Sequence, residues 1–306
     1  MKIKNVNSSS CRRCLQVSLT VEMMIRFAQL VNPEYDIYKR TGLTDGMPIS
    51  NQNAAARIVA DMIQDGYYVD FIETLYKIDT YGYMGSSYQL YGIHDAVAGL
   101  IDEGYNFDKI SGLFFENQKE RISANWGRLR EGDERKVTIL RLDIADNSAL
   151  VKHNSTSKIE RAYKDIRNIV EKAVTGRLGR LWKWEGDGVI AAFLFGPMEK
   201  MAIFAGMEII HEIFFYNRLG NPLDSPINVR MGAQKGQIRY SDNEIERLKN
   251  EPVKQATFLE ALATMNSLSV SYNLYISMDE HILDCFSDEK IRGGCKYRLY
   301  TIGPEK

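Results

Sequence analysis

Two β-type runs, residues 180–184 and 189–195, are separated only by Glu185-Gly186-Asp187-Gly188. Runs joined this tightly can pair only as an antiparallel hairpin, because parallel strands need a crossover of a dozen or more residues. The hairpin sits in a stretch where the sequence period keeps changing. Residues 137–144 alternate and begin β-branched, as a strand does. Residues 159–173 repeat as a helix with a polar face, and 198–216 as a helix strongly apolar on one side. Strands are expected at 227–233 and 236–240. A helix with Pro252 in its first turn covers 252–265, and late strands fall at 272–276 and 297–302. The order β-α-β-β-α-β-β-α-β predicts an α+β fold, one mostly antiparallel sheet with helices on one face.

The first part of the chain reads differently. Residues 1–15 are polar and basic and are expected to be a disordered tail. Residues 16–116 are expected to form a mostly α-helical N-terminal domain. Ser50 caps a helix at 51–64, Gly66 stops it, and similar patterns occupy 67–78 and 93–102. The tyrosines crowded here (Tyr67, Tyr68, Tyr76, Tyr81, Tyr83, Tyr88 and Tyr91) fit the core and rim of a small helical bundle. The charge-dense residues 117–136 read as a linker helix with a solvated face. The remainder, 137–306, is the α+β domain.

Composition excludes several classes. Among 306 residues, 39 Lys and Arg stand against 40 Asp and Glu. Neither a nucleic-acid partner nor a membrane surface is expected from that balance. No apolar run approaches the roughly 18 residues of a transmembrane helix. Residues 1–16 lack the apolar centre of a signal peptide, so a cytoplasmic location and reduced thiols are expected. Cys11 and Cys14 form a CxxC with no second pair nearby and read as ordinary thiols on the tail. His94, His153, His211 and His281 have no metal-ligand spacing.

Asp143 and Asp187 carry the chemistry. Each stands where a strand meets a turn, and two such carboxylates can hold hard cations against a triphosphate. Around them the sequence resembles the catalytic domain of class III nucleotidyl cyclases, the family of adenylyl and guanylyl cyclases. The matching blocks are Leu142-Asp143-Ile144-Ala145-Asp146-Asn147-Ser148, Lys183-Trp184-Glu185-Gly186-Asp187-Gly188-Val189-Ile190-Ala191, Val229-Arg230-Met231-Gly232-Ala233-Gln234-Lys235-Gly236, and the helix carrying Val253 to Glu260. They occur in the family's order over a little more than half the chain. The resemblance implies that 137–306 is a nucleotide cyclase domain using two Mn²⁺ or Mg²⁺ ions per site. Asp143, Asp187 and the backbone carbonyl of Ile144 would be the metal ligands. It also implies a homodimer, one subunit supplying metal carboxylates and the other the groups that read the base.

The departures from the family are informative. Lys254 stands where the family has a ribose-orienting Asn, and Phe258 where it has a transition-state Arg; Lys254 is therefore the candidate substitute cation. Asp146 replaces a glycine of the phosphate-binding turn. Asn147, Ser148 and Arg292 are the candidate phosphate contacts, with Lys296 a further basic residue near Arg292. Lys183 matches the base-reading lysine of adenylyl cyclases, and counting back from Lys254 places Arg247 as its partner. Two donors suit the carbonyls of uracil better than the amine of adenine. UTP is therefore the expected substrate and cyclic UMP the product. Trp184 could add a stacking surface, although packing is the commoner role. In this the chain resembles the pyrimidine cyclases of anti-phage signalling systems (Pycsar), which implies a downstream cyclic-nucleotide-binding effector. Two other readings remain open at this point: an adenylate or guanylate cyclase regulated by its N-terminal domain, and a non-catalytic nucleotide-binding regulator.

Overall fold

A computed structural model of the chain describes residues 5–44, 46–116 and 122–302. It divides into two compact units, Met1–Glu120 and Arg121–Lys306.

The first unit contains helices α1 (Asn5–Ser18), α2 (Val21–Val31), α3 (Ile37–Thr41), α4 (Asn51–Gln64), α5 (Tyr68–Tyr81) and α6 (Ile93–Asp102). An antiparallel pair, β1 (Tyr105–Asp108) and β2 (Leu113–Glu116), follows. Helix α4 begins where Ser50 predicts, its hydroxyl accepting the N–H of Asn53 at 3.2 Å. Its stripe of Ala54, Ala55, Ile58, Val59 and Met62 is buried. The tyrosines pack as core and rim: Phe27 meets Tyr83 and Tyr88 edge-on at 5.5 and 5.4 Å.

The expected disordered tail at 1–15 is corrected. The chain is helical from Asn5, and Cys11, Cys14 and Leu15 lie on one buried face. A cysteine behaves as a small apolar residue, so this i, i+3, i+4 stripe docks a helix that a polar reading of CxxC misses. Burial pushes both thiols up, Cys14 to about 12, which favours their protonated form. The hairpin at 105–116, within the stretch expected to be helical, is anchored by Glu73, which accepts the N–H of Phe114 at 2.7 Å. The expected linker helix 117–136 is corrected: residues 117–121 lie outside the described residues, 122–133 form turns with Trp126 and Leu129 buried, and Glu134 to Lys136 already belong to a strand.

The second unit is a seven-stranded sheet in the order β4-β5-β3-β6-β7-β9-β8. Its strands are β3 (Glu134–Ala145), β4 (Arg180–Glu185), β5 (Gly188–Phe193), β6 (Asn228–Arg239), β7 (Ser267–Ser271), β8 (Lys290–Arg292) and β9 (Cys295–Thr301). Only β6 and β7 run parallel. The helices are α7 (Asn147–His153), α8 (Thr156–Thr175), α9 (Met198–Leu219), α10 (Glu244–Leu248), α11 (Glu251–Leu262), α12 (Tyr272–Tyr275) and α13 (Glu280–Leu283). The fold is α+β with an antiparallel-rich sheet. The 180–195 hairpin forms as expected: Glu185 pairs with Gly188, leaving Gly186-Asp187 as a two-residue loop. Gly186 has φ 62°, the first-position glycine of a II′-type turn.

One face of the sheet is aliphatic. Leu140, Leu142 and Ile144 of β3, with Val229, Met231 and Ala233 of β6, pack against Ile166 and Val170 of α8 and Ala202 and Ile209 of α9. Contrary to the expected single helical layer, α11 covers the opposite face, over β6 and the adjoining strands. Gly232 is the reason. A Cβ there would stand 2.2 Å from the carbonyl oxygen of Ala256 and 2.3 Å from the nitrogen of Glu260, so α11 lies against bare backbone.

Two strand expectations change as well. The strands expected at 227–233 and 236–240 are one, β6 (Asn228–Arg239), and its Gly236 lies in close contact with Pro252. Residues 272–276, read as a strand, begin with the short helix α12, because Ser271 caps it by accepting the N–H of Leu274 at 3.3 Å. The strand is the preceding Ser267–Ser271, whose serines alternate with buried Leu268 and Val270.

Because the obstruction at Gly232 is backbone, no rotamer change relieves it. Gly232→Ala is expected to cost about 3 kcal/mol or more, at or above the usual range for overpacking. A urea melt of the full chain measures this, and a midpoint within error of wild type would contradict the close packing of α11.

Candidate active site

Side-chain alternation along β3 puts Arg141 and Asp143 on the face opposite Leu140, Leu142 and Ile144. Asp143 is paired in register with Arg230 of β6. Arg230 Nη2 lies 3.1 Å from Asp143 Oδ2, and its Nε lies 3.4 Å from Glu260 Oε1 on α11. The Glu260 side chain is only 9% exposed, and its Oε1 has no hydrogen-bond partner. Burial pushes the Glu260 carboxyl above the usual range; the negative charge of Asp143 adds to the rise, Arg230 and Arg141 oppose it, and Asp187 raises it further. Three carboxylates and two guanidiniums thus share one electrostatic cluster.

The ladder between β3 and β5 ends at Leu142–Val189, while that between β3 and β6 continues to Ala145–Asn228. One edge of residues 143–145, including Ile144, therefore has no strand beside it. Asp187 occupies the hairpin turn near this end. Its charge is felt at Tyr163 of α8, whose phenol is raised by burial, lowered by its hydrogen bond to Asn147, and raised again by Asp187. The Tyr163 hydroxyl donates to Asn147 Oδ1, so that side chain already ties α7 to α8. Ser148 is exposed in the first turn of α7. Asp146, where the family has glycine, adopts φ 55°; Asp is among the few residue types that tolerate this region.

The base-reading expectation requires a correction. Arg247 is buried, stacked 5.4 Å over the ring of Trp182 and 5.5 Å over Tyr240, and donates to the Ser241 carbonyl at 2.9 Å. It anchors α10 instead of facing a ligand. The residue α10 brings to Lys183 is Glu244, whose Oε1 lies 3.6 Å from Lys183 Nζ; Glu185 lies at 3.4 Å. Counting back from Lys254 misses this because Asn243 caps an extra helical turn, accepting the N–H of Ile245 at 2.9 Å. Glu185 also accepts from Arg141 at 2.9 Å, so ion pairs connect Lys183 to the strand carrying Asp143.

Lys254 and Phe258 are both exposed, one turn apart on α11, and the Phe258 ring lies beside Gly293 in the β8–β9 turn. Arg292, also exposed, precedes that glycine. Lys296 pairs with Glu289 at 3.0 Å. Trp184 packs on the aliphatic core under Arg167, at 5.1 Å, which is a packing role.

Sequence reasoning missed three members of the cluster: Arg141, Arg230 and Glu260. A signal for the first two was present. A charged residue at the polar phase of a strand, flanked by buried apolar neighbours, points at whatever covers the second face.

Among the described residues no group of three or more His, Cys, Asp or Glu side chains is arranged as a ready-made metal centre. The donor set still fits a hard cation. The candidate ligands, Asp143, Asp187 and the Ile144 carbonyl, offer only oxygen, without sulfur or imidazole, and the nearby buried Glu260 Oε1 has no hydrogen-bond partner.

No family model matches this sequence, and no curated protein matches it. Solved structures do. An adenylate/guanylate cyclase/hydrolase from Silicibacter pomeroyi is 20% identical, covering 56% of this chain and 100% of its own, with a TM-score of 0.48. The adenylyl cyclase CyaB from P. aeruginosa is 16% identical over 58% of this chain and 98% of its own, TM-score 0.47. The monomeric guanylyl cyclase domain of the RhoGC fusion protein from the aquatic fungus Blastocladiella emersonii is 15% identical over 56% and 98%, TM-score 0.46. Among the described residues no helix is long and apolar enough to cross a membrane.

The burial of Arg247 carries its own test. Arg247→Met removes two cation–π contacts and the donor to the Ser241 carbonyl, and should lower stability by about 2–3 kcal/mol. Chemical denaturation reads this, and an unchanged midpoint would return Arg247 to the list of ligand-facing residues.

Proposed function

We propose that residues 137–306 form a metal-dependent nucleotide cyclase, converting a nucleoside triphosphate into a 3′,5′-cyclic nucleotide and diphosphate. The observation that supports this best is the placement of Asp143 at the open end of β3, beside the hairpin turn that carries Asp187. In the reaction the ribose 3′-oxygen forms a bond to the α-phosphorus and loses its proton, while the bond from that phosphorus to the bridging oxygen breaks and diphosphate departs. Asp143, Asp187 and the Ile144 carbonyl would hold the divalent ions, Mn²⁺ or Mg²⁺. When bound, these supply charge neutralisation for the triphosphate and for the entering and leaving oxygens. Lys254 and Arg292 are the mobile cations available to phosphate oxygens, and Ser148 a hydroxyl donor in the turn after Asp143.

The base is read by Lys183 with Glu244, not by Lys183 with Arg247. A donor beside an acceptor complements one edge of every base, so the argument for uracil from two donors lapses. What the pair discriminates is order. Adenine and cytosine present an exocyclic donor beside a ring acceptor; guanine and uracil present the reverse. UTP turnover needs Lys183 at the exocyclic position, and ATP turnover needs Glu244 there. The acceptor at Glu244 thus supports a second reading, an adenylate cyclase. The homodimer, the defence role and a cyclic-nucleotide-binding effector rest on the sequence resemblance.

Purified protein given each of the four nucleoside triphosphates with Mn²⁺ should form a cyclic nucleotide from at least one, and Asp143→Asn or Asp187→Asn should lower the rate by roughly 10²–10³-fold or more. Nucleotide binding without product from any of the four would refute the cyclase. The exchange Lys183→Glu with Glu244→Lys should invert the ranking of amino against keto bases. An unchanged ranking would remove this pair from base reading while leaving the cyclase standing.

A further inference from the structure

Arg230 touches two carboxylates that belong to different elements. Its Nη2 is 3.1 Å from Asp143 on the neighbouring strand, and its Nε is 3.4 Å from Glu260 on α11. The second contact is an ion pair without a hydrogen bond: both Arg230 Nε and Glu260 Oε1 are shielded from solvent, and neither has a hydrogen-bond partner. A shielded polar group in that condition is destabilising. Closing the gap to Glu260 would recover part of that cost, but the other end of the same rigid fork is held by Asp143.

We propose that Arg230 is a positioning residue shared between Asp143 and Glu260. It holds Asp143 while that carboxylate has no cation, and shifts onto Glu260 when a divalent cation takes Asp143. The inference rests on reading Asp143 as a cation ligand. The guanidinium and a divalent cation compete for the same carboxylate and repel each other. Cation binding is therefore easier when Arg230 has a second carboxylate to move to, and Glu260 is that carboxylate. The side chain of Arg230 is 37% exposed and that of Glu260 9%, so the mobile partner is the arginine and the fixed one is the glutamate buried under α11. Glu260 also lies where α11 closes on Gly232, so the shift links occupancy of Asp143 to the helix bearing Lys254.

The test is Mn²⁺ binding to the full chain without nucleotide, read from the paramagnetic resonance signal of free Mn²⁺. Wild type, Arg230→Gln, Glu260→Gln and the double variant form a cycle. Arg230→Gln should tighten Mn²⁺ binding by about 3–10-fold, and Glu260→Gln should weaken it by a similar factor. In the Arg230→Gln background, Glu260→Gln should lose more than half of its effect on a logarithmic scale. If Glu260→Gln weakens binding equally in both backgrounds, Glu260 acts by charge alone and the inference fails. It also fails if Arg230→Gln weakens binding. A wild type that binds no Mn²⁺ overturns the reading of Asp143 itself, a distinct outcome. Circular dichroism checks folding; should Arg230→Gln be unfolded, Arg230→Lys, which keeps the charge but not the fork, should remove the coupling in the same way.

Discussion

The seating of α11 on the backbone of β6 determines most of what this second unit can do. Without a Cβ at Gly232 the helix comes within backbone contact of the strand. That approach carries Glu260 off the surface and sets it beside Arg230 and Asp143. At an ordinary helix–sheet spacing of about 10 Å, a glutamate at this position would keep its water and exert little pull on the strand. Seated as it is, a buried carboxylate must find a cation, and Arg230 stands 3.4 Å from it.

The two faces of the sheet divide the labour. Toward α8 and α9, β3 and β6 present Leu140, Leu142, Ile144, Val229, Met231 and Ala233, and that face carries the core. The other face is covered by α11 over β6 and its neighbours, and on β3 and β4 it bears Arg141, Asp143, Lys183 and Glu185 in ion pairs. Its value is chemical. Carboxylates at one end and a Lys–Glu pair at the other offer a charged ligand two contrasting contacts along a rigid surface.

The sequence made the regular parts of this arrangement legible. Alternation located β3, turn chemistry located the 180–195 hairpin, and a serine cap with an apolar stripe located α4. The misses share one cause: a local feature whose meaning is set by a partner distant in sequence. Residues 227–240 read as two strands until Gly236 is known to lie against Pro252 within one. The strand read at 272–276 is instead Ser267–Ser271, recognisable once Leu268 and Val270 are seen buried in the core. Cys11 and Cys14 read as ordinary thiols on a tail until α1 is docked and both are buried. Arg247 reads as a ligand by counting, and only the extra turn capped by Asn243 shows that Trp182 and Tyr240 enclose it.

The exchange of Arg247 for Glu244 alters the charge logic of the site, not just one name in it. A pocket of two donors selects against any base edge with an exocyclic amine. A donor and an acceptor held on separate elements, Lys183 on β4 and Glu244 on α10, select by which of them meets the exocyclic atom. That choice depends on the position of α10, which Arg247 fixes from behind by stacking between two rings. A buried arginine that never touches a ligand can therefore govern which ligand is accepted, because it sets where the acceptor stands relative to a donor on the sheet. On the proposed reading the phosphate end lacks such fixing, since Lys254 and Arg292 are long, exposed cations near the uncharged ring of Phe258; selection at the base would rest on packing, and charge for the phosphates on exposed side chains.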